Sequence, residues 1–269
     1  MNNLKTPLSY PGGKSRALKI LHKFTPNLDN IIEIRDCFLG GGSYPLYLSK
    51  LYPDKKVWVN DKYFLLYNFW IQLRDNPDKL ISEILEIKNN NNDVESARYI
   101  FNLCKEYINK DISLLDKAVY FFIINKCSYS GLTESSSFSS SNAVIKFTIR
   151  NIKNLKYYSN IIKNWKITNL DYKELLSNDK NIFIYLDPPY NIKDNLYGNK
   201  GQLHKIFNHD EFVKLCTEYQ SKLLISYNKE INGLNNNYYD LTYTLRSKSD
   251  NEYNHNQKDR KELCIVNFD

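Results

Sequence analysis

The sequence predicts an α/β fold in which a doubly wound, mixed sheet carries a mainly helical insertion. Short apolar runs, such as residues 31–34 and 182–186, are typical of buried strands, and helical periodicity alternates with them. These strands end in glycine-rich or acidic segments, as expected at the carboxyl edge of a parallel sheet. Between residues 61 and 171 lies a long interval of helical patterns that a plain doubly wound domain does not need.

Composition sets the broad class of the protein. With 269 residues, 42% of them apolar and 14% aromatic, the chain can bury a sizeable core. No uncharged apolar run reaches the roughly 18 residues of a membrane span, and the start from Met1 to Lys5 lacks the apolar stretch of a signal peptide. We therefore expect a cytosolic protein with no membrane partner. The net charge of +7 favours a polyanionic partner.

Cysteine and histidine positions bear on redox chemistry and metal binding. The five cysteines have no close pairs in the sequence, and the four histidines form no ligand spacing with them. The sequence therefore implies neither disulfides nor a structural zinc site.

The first candidate ligand-binding element is a turn near the start of the chain, with the sequence Tyr10-Pro11-Gly12-Gly13-Lys14. It opens into a predicted helix that ends near Lys23. The glycines allow the backbone to approach a ligand closely, and Lys14 could then reach an anion. An ordinary surface loop has the same pattern, so both interpretations stay open at this point.

A strand, a glycine loop and a helix follow in that order. The strand at 31–34 leads into the loop at 36–43, which contains Gly40 and Gly42, and an amphipathic helix then runs to about Lys50. The spacing of the glycines is not the dinucleotide-binding fingerprint. Glycines at the carboxyl end of a strand nevertheless let a ligand lie against the backbone and a helix N-terminus.

Acidic residues end the next two short strands. Asp61 follows the strand at 57–59, about twenty residues beyond the glycine loop, where a carboxylate can bind both hydroxyls of a ribose. A solvated aspartate at a strand end is the alternative. After a strand that begins at Lys166, Asp171 and Tyr172 form a pair able to hydrogen-bond to an adenine ring and cover it.

The most informative element is the tip that directly follows the apolar run 182–186, with the sequence Asp187-Pro188-Pro189-Tyr190. The prolines fix φ and donate no hydrogen bonds, so the Asp187 carboxylate and the Pro188 carbonyl are held out as acceptors beside an aromatic ring. Such a tip suits a planar amine. A proline turn that merely ends a strand is the alternative.

The long interval before this tip predicts an inserted helical domain. Helical patterns occur near 64–74, 80–87, 97–107 and 114–125. The polar run at 89–92 predicts a surface loop among them. We expect residues 65–161 to form the insertion and residues 1–64 and 162–269 to form the main domain.

The order of these motifs along nearly the whole chain resembles that of the Dam-type (D12 class) adenine-N6 DNA methyltransferases. The resemblance implies a class I methyltransferase fold with seven strands, in which the insertion is the DNA target-recognition domain. It implies transfer of a methyl group from S-adenosylmethionine, leaving S-adenosylhomocysteine, to the N6 amine of an adenine flipped out of a specific double-stranded DNA sequence, without a metal. Cys37 replaces the proline that is usual before Phe38.

The resemblance also assigns roles to residues. Those implied to line the cofactor pocket are Tyr10, Lys14, Phe38, Gly40, Gly42, Asp61, Asp171, Tyr172 and Asp187. Those implied to be catalytic are Asp187, Pro188, Pro189 and Tyr190. Acceptance of both amine hydrogens by Asp187 and the Pro188 carbonyl would direct the nitrogen lone pair toward the methyl group.

By the same resemblance, residues 125–132 occupy the place of the family's DNA-reading segment. The residues expected to contact DNA are Lys126, Ser128, Tyr129, Ser130, Lys146 and Arg150. The hydroxyls of the serine-rich run 133–141 and the flanking cations suit phosphate contacts. Family members that read GATC carry basic and asparagine residues there, which argues against GATC as the target.

The last part of the chain is expected to complete the sheet. A helix is predicted over 209–220 and strands over 222–226 and 262–268, with residues 226–228 as candidates for the wall of a base pocket. The polar stretch 248–261 is interpreted as a loop that touches DNA or solvent.

Alternative functions stay open at the level of the sequence. A cytosine-N4 methyltransferase shares the architecture but more often begins its tip with serine, and protein methyltransferases usually have asparagine there. An RNA methyltransferase does not explain the large basic insertion. A DNA-binding relative without catalysis would show a damaged Asp187 or glycine loop, and neither is damaged. The resemblance also allows a separately acting restriction endonuclease as a companion, in a bacterial or viral DNA compartment.

Overall fold

The computed structural model describes residues 5–131, 136–190, 207–227, 231, 237–240 and 263–268. Its strands are β1 Glu33–Asp36, β2 Lys56–Asn60, β3 Lys166–Thr168, β4 Ile182–Leu186, β5 Lys222–Tyr227, β6 Asn237–Asp240 and β7 Leu263–Val266. They form one sheet with the order β3-β2-β1-β4-β5-β7-β6. The first five strands in this order pair in parallel, and β7 is antiparallel to both neighbours. The predicted doubly wound, mixed sheet is confirmed.

Helices surround this sheet. They are α1 Leu18–Lys23, α2 Ser43–Leu51, α3 Phe64–Asp75, α4 Pro77–Asn90, α5 Val94–Tyr107, α6 Leu114–Cys127, α7 Ser140–Lys146, α8 Ile149–Lys153, α9 Leu155–Ile162 and α10 His209–Glu218. Short 3₁₀ turns cover Lys14–Arg16, Tyr129–Gly131 and Tyr172–Leu175. Within the described ranges, none of the helices combines the length and apolarity needed to cross a membrane.

The centre of the sheet explains the apolar run before the tip. All five residues of β4 are buried, because β4 lies between β1 and β5 and both of its faces are covered. Asp36, the last residue of β1, lies opposite Val59 of β2 and Tyr185 of β4. The segments that follow these three strands therefore emerge side by side at one edge.

The long helical interval packs against one face of the sheet. Ile34 and Val59 belong to the same buried cluster as Phe69 of α3, Phe122 of α6 and Leu155 of α9. The helices between β2 and β3 thus share a core with the strands, and the division of the chain at residues 65–161 stays a prediction. A second cluster on the other face joins Ile184 and Ile225 to α10 and the turn at Tyr172–Leu175.

Several predicted bounds were wrong by a few residues, for local reasons. The first strand begins at Glu33 instead of Ile31, because pairing with β2 and β4 starts there. Helix α4 begins earlier than predicted because Pro77 occupies its first turn, where a missing N–H costs nothing. Helix α5 begins at Val94 because the Asp93 carboxylate caps it by accepting hydrogen bonds from the Glu95 and Ser96 amides.

The prediction also missed the short helices α7, α8 and α9 and the strand β6. Helices α7 and α8 start at capping hydroxyls, those of Ser139 and Thr148, which accept hydrogen bonds from Asn142 and Asn151 amides. The predicted helix at 209–220 ends at Glu218. The last predicted strand, 262–268, ends at Val266, and residue 262 lies outside the described residues. The predicted loop at 248–261 lies outside the described residues.

Candidate active site

A cavity of about 370 Å³ opens where the chain leaves β1, β2 and β4. All nine residues expected to bind a cofactor line it, namely Tyr10, Lys14, Phe38, Gly40, Gly42, Asp61, Asp171, Tyr172 and Asp187. Pro189 of the tip also lines it, whereas Pro188 is buried beside it. Side chains that are far apart in the sequence therefore meet in one cavity, because parallel strands present their carboxyl ends at the same edge.

The glycine loop can only be built from glycine at two positions. Gly40 has φ 48° and Gly42 has φ 70°, both in the left-handed region that side chains disfavour. A Cβ atom on Gly40 would lie 2.9 Å from Cε1 of Tyr10, and one on Gly42 would lie 2.8 Å from Cζ2 of Trp70. The loop is therefore packed tightly between the Tyr10 ring and α3, and it places the N-terminus of α2 at the cavity.

Asp61 fastens the end of β2 to this glycine loop. Its Oδ2 accepts a hydrogen bond from the Gly40 amide and its Oδ1 accepts one from the Tyr63 amide, each at 2.9 Å. Burial raises the pKa of Asp61 to about 6, and these two amides oppose that rise. Each carboxylate oxygen keeps a further lone pair that can accept a hydrogen bond from a ligand.

The tip after β4 is held by the turn near the start of the chain. Nζ of Lys14 lies 2.6 Å from Oδ2 and 2.8 Å from Oδ1 of Asp187, and it also donates to the Gly12 carbonyl at 2.9 Å. The Lys14 side chain is 4% exposed and that of Asp187 20%. The hydroxyl of Tyr190 donates to Oδ1 of Asp187 at 3.2 Å. The anion that Lys14 reaches in this structure is therefore the Asp187 carboxylate.

Asp36 is a cavity residue that the sequence-based site assignment omitted. Its buried carboxylate accepts a hydrogen bond from the Phe38 amide at 3.0 Å. Burial raises its pKa well above the usual range, and the nearby Asp187 and Asp61 carboxylates raise it further while Lys14 opposes them. The signal available in the sequence was an acidic residue at the junction of a strand and a glycine loop.

Aromatic rings form one wall of the cavity. The ring centroids of Phe38 and Tyr172 are 5.3 Å apart, and Phe207 lies 5.9 Å from Phe38 and 5.6 Å from Tyr172. Phe212 of α10 packs behind this group. The Tyr172 hydroxyl is buried and has no hydrogen-bond partner among the described residues. Phe207 and Phe212 were not foreseen, since only the folding of α10 onto the sheet brings them here.

Ser226 and Tyr227, which were predicted to help wall a base pocket, do not line this cavity, and that role stays a prediction. Tyr227 packs nearly perpendicular to Tyr190, with ring centroids 6.2 Å apart, and its hydroxyl bonds to Nδ1 of His209. Ser226 is buried instead, and its hydroxyl is 2.9 Å from that of Tyr185. Tyr227 thus packs against the ring of Tyr190 in the tip. Residue 228 lies outside the described ranges.

The residues expected to contact DNA lie outside this cavity, at the end of α6 and on α7 and α8. Tyr129 and Arg150 are exposed, and Lys146 is half-buried. Lys126 and Ser128 are buried, which was not expected, and the Ser128 hydroxyl donates to the Asn125 carbonyl at 3.2 Å.

The pKa of Lys126 is lowered. Burial lowers its pKa to about 8, and the charge of Lys146 lowers it further. The Ser130 side chain and residues 132–135 are outside the described part of the chain. A DNA role for this surface stays a prediction.

No group of three or more histidine, cysteine or acidic side chains in the described residues has an arrangement suited to a metal ion. The polar side chains of the cavity are five carboxyl groups, three ammonium groups, hydroxyls and the amides of Asn60 and Asn208, beside glycine-rich backbone. Such a set favours a cationic organic ligand with a flat aromatic part.

Comparison with known proteins agrees with this geometry. Residues 10–260 match the model of the family described as D12 class N6 adenine-specific DNA methyltransferase. The Type II methyltransferase M.MjaIII of Methanocaldococcus jannaschii is 25% identical over 288 aligned positions, which cover 98% of this chain and 99% of that protein. The matched region contains the turn near the start, the glycine loop and the Asp187 tip. The chain is therefore a member of the D12 class of N6 adenine-specific DNA methyltransferases.

Proposed function

We propose that this enzyme transfers a methyl group from S-adenosylmethionine to the N6 amine of an adenine that is flipped out of a specific sequence in duplex DNA. The observation that carries the proposal is the position of Asp187. Its carboxylate lies at the end of the central strand, in a cavity that also contains the glycine loop, Asp61 and the aromatic wall. One cavity thus offers both a cofactor site and an acceptor for an amine.

The residues of the cavity fit S-adenosylmethionine. The cavity is lined by five carboxyl groups, those of Asp36, Asp61, Asp171, Asp187 and Glu211, and by three ammonium groups, those of Lys14, Lys62 and Lys173. Burial raises the pKa of Asp36 and so favours its neutral form, but the other four carboxylates still outnumber the three ammonium groups. The cavity therefore favours a ligand that carries more positive than negative charge. S-adenosylmethionine has a sulfonium and an ammonium against one carboxylate. A cavity of about 370 Å³ is within the usual size of small-molecule sites.

Individual groups can be matched to parts of the cofactor. Asp61 would accept hydrogen bonds from the ribose hydroxyls through its remaining lone pairs. Phe38 and Tyr172 would hold the adenine ring of the cofactor, and the buried Tyr172 hydroxyl would gain a hydrogen-bond partner. When bound, S-adenosylmethionine supplies a strongly activated methyl group.

The chain has to activate the other reactant, because the exocyclic amine of adenine is a poor nucleophile whose lone pair is delocalised into the ring. Asp187 and the Pro188 carbonyl would accept its two hydrogens and stabilise the positive charge that develops on nitrogen. Tyr190 would stack on the flipped base and hold it at reacting distance. Lys14 and the Tyr190 hydroxyl fix the orientation of the Asp187 carboxylate in the cavity.

We propose that residues 65–161 recognise the DNA and residues 1–64 and 162–269 perform the transfer. The amine is inaccessible inside a duplex, so the adenine has to leave the stack, at a cost of about a few kcal/mol. Cations and exposed side chains at the end of α6 and on α7 and α8 would offset this cost through phosphate and base contacts. The name of the relative, a Type II methyltransferase, supports a place in a restriction-modification system beside a separate endonuclease.

The proposal is tested by product analysis. The purified protein is incubated with unmethylated duplex DNA and S-adenosylmethionine, and the DNA is digested to nucleosides that are identified by mass spectrometry. We expect N6-methyldeoxyadenosine, and none from a parallel preparation of the Asp187→Asn variant. N4-methyldeoxycytidine, or no modified nucleoside from the unaltered protein, would overturn the proposal.

A further inference from the structure

One buried side chain joins the insertion to the cavity. Asn125, in the last turn of α6, is 0% exposed, and its amide group pairs with the main chain of Ser9. Its Oδ1 accepts a hydrogen bond from the Ser9 N–H at 2.9 Å, and its Nδ2 donates to the Ser9 carbonyl at 2.7 Å. The same Nδ2 lies 3.1 Å from the Gly131 carbonyl. One amide therefore holds two chain segments that are distant in the sequence.

The contact between these segments is too close for a side chain. Gly131 has φ 74°, and a Cβ atom on it would lie 2.2 Å from the Ser9 carbonyl oxygen. The segment 128–131 therefore touches the backbone of Ser9 directly. A shift of either segment has to move the other.

Through Ser9, this contact is connected along the chain to residues of the cavity. Ser9 precedes Tyr10, whose ring is in contact with the glycine loop at Gly40. The turn then continues to Lys14, which holds the Asp187 carboxylate. The placement of Ser9 therefore helps to set the placement of both the loop and the tip.

Through segment 128–131, the contact is also connected to the surface expected to meet DNA. Tyr129 is 69% exposed and lies between Ser128 and Gly131 in the sequence. The Asn142 side chain of α7 donates to the Ser128 carbonyl at 2.7 Å, so α7, which ends at Lys146, is tied to the same segment. DNA that binds to Tyr129 or α7 would therefore shift or fix segment 128–131, which Asn125 holds.

We propose that Asn125 is a positioning residue that couples DNA engagement at Tyr129 and helix α7 to the placement of Tyr10 and Lys14 in the cavity. This inference rests on the proposed function. Because coupling between two sites is reciprocal, DNA would raise the affinity for the cofactor by the same factor by which the cofactor raises the affinity for DNA. Asn125→Asp keeps the shape of the side chain but replaces the donor Nδ2 with an oxygen that faces two carbonyls, so the link should break.

The experiment measures the affinity for S-adenosylhomocysteine by calorimetry, without DNA and with unmethylated duplex DNA of mixed sequence. In the unaltered protein we expect DNA to tighten binding by about 5- to 150-fold, the usual range of coupling between sites. In Asn125→Asp we expect that ratio to fall close to 1, whatever the change in cofactor affinity in the absence of DNA. The rate constant kcat should fall more than the KM for S-adenosylmethionine rises.

Asn68→Asp is the matched control. Asn68 is also a buried asparagine that donates to a main-chain carbonyl, that of Leu114, and this hydrogen bond involves neither the turn near the start nor segment 128–131. We expect it to lower thermal stability and to leave the DNA-dependent ratio unchanged. If Asn125→Asp does not fold, the half-buried Asn142→Ala decides the matter, since loss of its bond to Ser128 should lower the ratio in part.

Three results would overturn the inference. The first is a ratio of cofactor affinities with and without DNA that is near 1 in the unaltered protein. The second is a ratio that does not change in Asn125→Asp and Asn142→Ala. The third is a ratio that falls in Asn68→Asp as much as it falls in Asn125→Asp. Methylation of adenine by the unaltered protein, measured on the same preparation, separates these results from a failure of the proposed function.

Discussion

The cavity and the outer end of the insertion, which comprises the end of α6 with α7 and α8, differ in how their charged and polar side chains are paired. In the cavity, Asp187 is bound by Lys14, and Asp61 is bound by two main-chain amides. At the end of the insertion, Tyr129 and Arg150 face solvent. The difference fits the proposed division into a chemical end, formed by the cavity, whose carboxylates are already paired within the protein, and a recognition end, formed by the outer end of the insertion, whose exposed side chains would be paired by DNA.

The two regions also differ in how they pair a buried lysine. Lys14 is 4% exposed and Lys126 is 7% exposed. Lys14 pairs with a carboxylate, whereas Lys126 lies over the ring of Phe122 and close enough to Lys146 for that charge to lower its pKa. Two neighbouring cations are repelled by each other in the unbound protein, and a DNA phosphate would relieve that repulsion.

The largest expected effect is on the chemical end. Asp187→Asn keeps the size of the side chain but removes the charged acceptor that stabilises the developing positive charge on the amine. We expect kcat to fall by at least roughly 10²- to 10³-fold, the range for loss of a key electrostatic group. Single-turnover methyl transfer is the measurement, and exposed Asp111→Asn is the control. Near-normal turnover would show that Asp187 has no part in the chemistry.

A smaller effect is expected at Asp61. Hydrogen bonds to charged groups contribute about 1.5–3 kcal/mol, so Asp61→Asn should weaken cofactor binding about 10- to 100-fold. Its DNA affinity measured without cofactor should not change. Calorimetry and DNA binding are compared on the same preparation, and equal losses in both would contradict the assignment of Asp61 to the cofactor.

Because the pKa of Asp61 is raised, we expect the affinity for the cofactor to depend on pH. Its pKa of about 6 in the fold lies above the ordinary value, so the carboxyl is increasingly protonated as pH falls through about 6. Because the ionised form would bind the ribose, cofactor affinity should fall over that range. Asp36 also has a raised pKa, so the comparison that isolates Asp61 is with Asp61→Asn, in which this part of the pH dependence should vanish.

At the recognition end, the expected effect appears in the salt dependence of DNA binding. Lys146→Ala and Arg150→Ala should each lower the slope of log affinity against log salt by about 0.9, for one lost phosphate contact. Cofactor affinity in the absence of DNA should stay the same. Unchanged slopes in both variants would place the DNA surface elsewhere.

The smallest expected effect concerns the stability of the fold at Lys126. Its pKa in the fold, about 8, lies below its ordinary value, so the buried charge costs stability at neutral pH and that cost disappears as pH rises above 8. Lys126→Met should raise the free energy of unfolding at pH 7 by roughly 1–3 kcal/mol, and the gain should shrink toward pH 10. A gain that is the same at both pH values would exclude this cause.

The sequence was most informative where chemistry depends on residue type at the end of a strand. The glycines, Asp61 and Asp187 could be placed together because parallel strands bring their carboxyl ends to one edge. Asn60 was missed, although its side chain donates to the Cys37 and Leu170 carbonyls and links the ends of the strands. That role depends on distances that no local pattern encodes.

The insertion was harder to predict for physical reasons. Helix α6 is buried on nearly all sides near its end, so its sequence has no polar face to mark which residues point outward. Lys126 was therefore expected at the surface although it is buried. Helices α7 and α8 are too short to produce a clear periodic pattern, and their start depends on capping hydroxyls within a serine-rich and threonine-containing stretch.

The most direct test of the division between a chemical and a recognition end is a map of methylated positions in genomic DNA. The DNA comes from hosts without adenine methylation of their own, which express the unaltered protein, Asp187→Asn, or the Lys146→Ala and Arg150→Ala double variant. We expect methylated adenines in one short sequence context for the unaltered protein, none for Asp187→Asn, and sparser or less selective methylation for the double variant. Methylated cytosines, or methylated adenines that share no sequence context, would contradict the account.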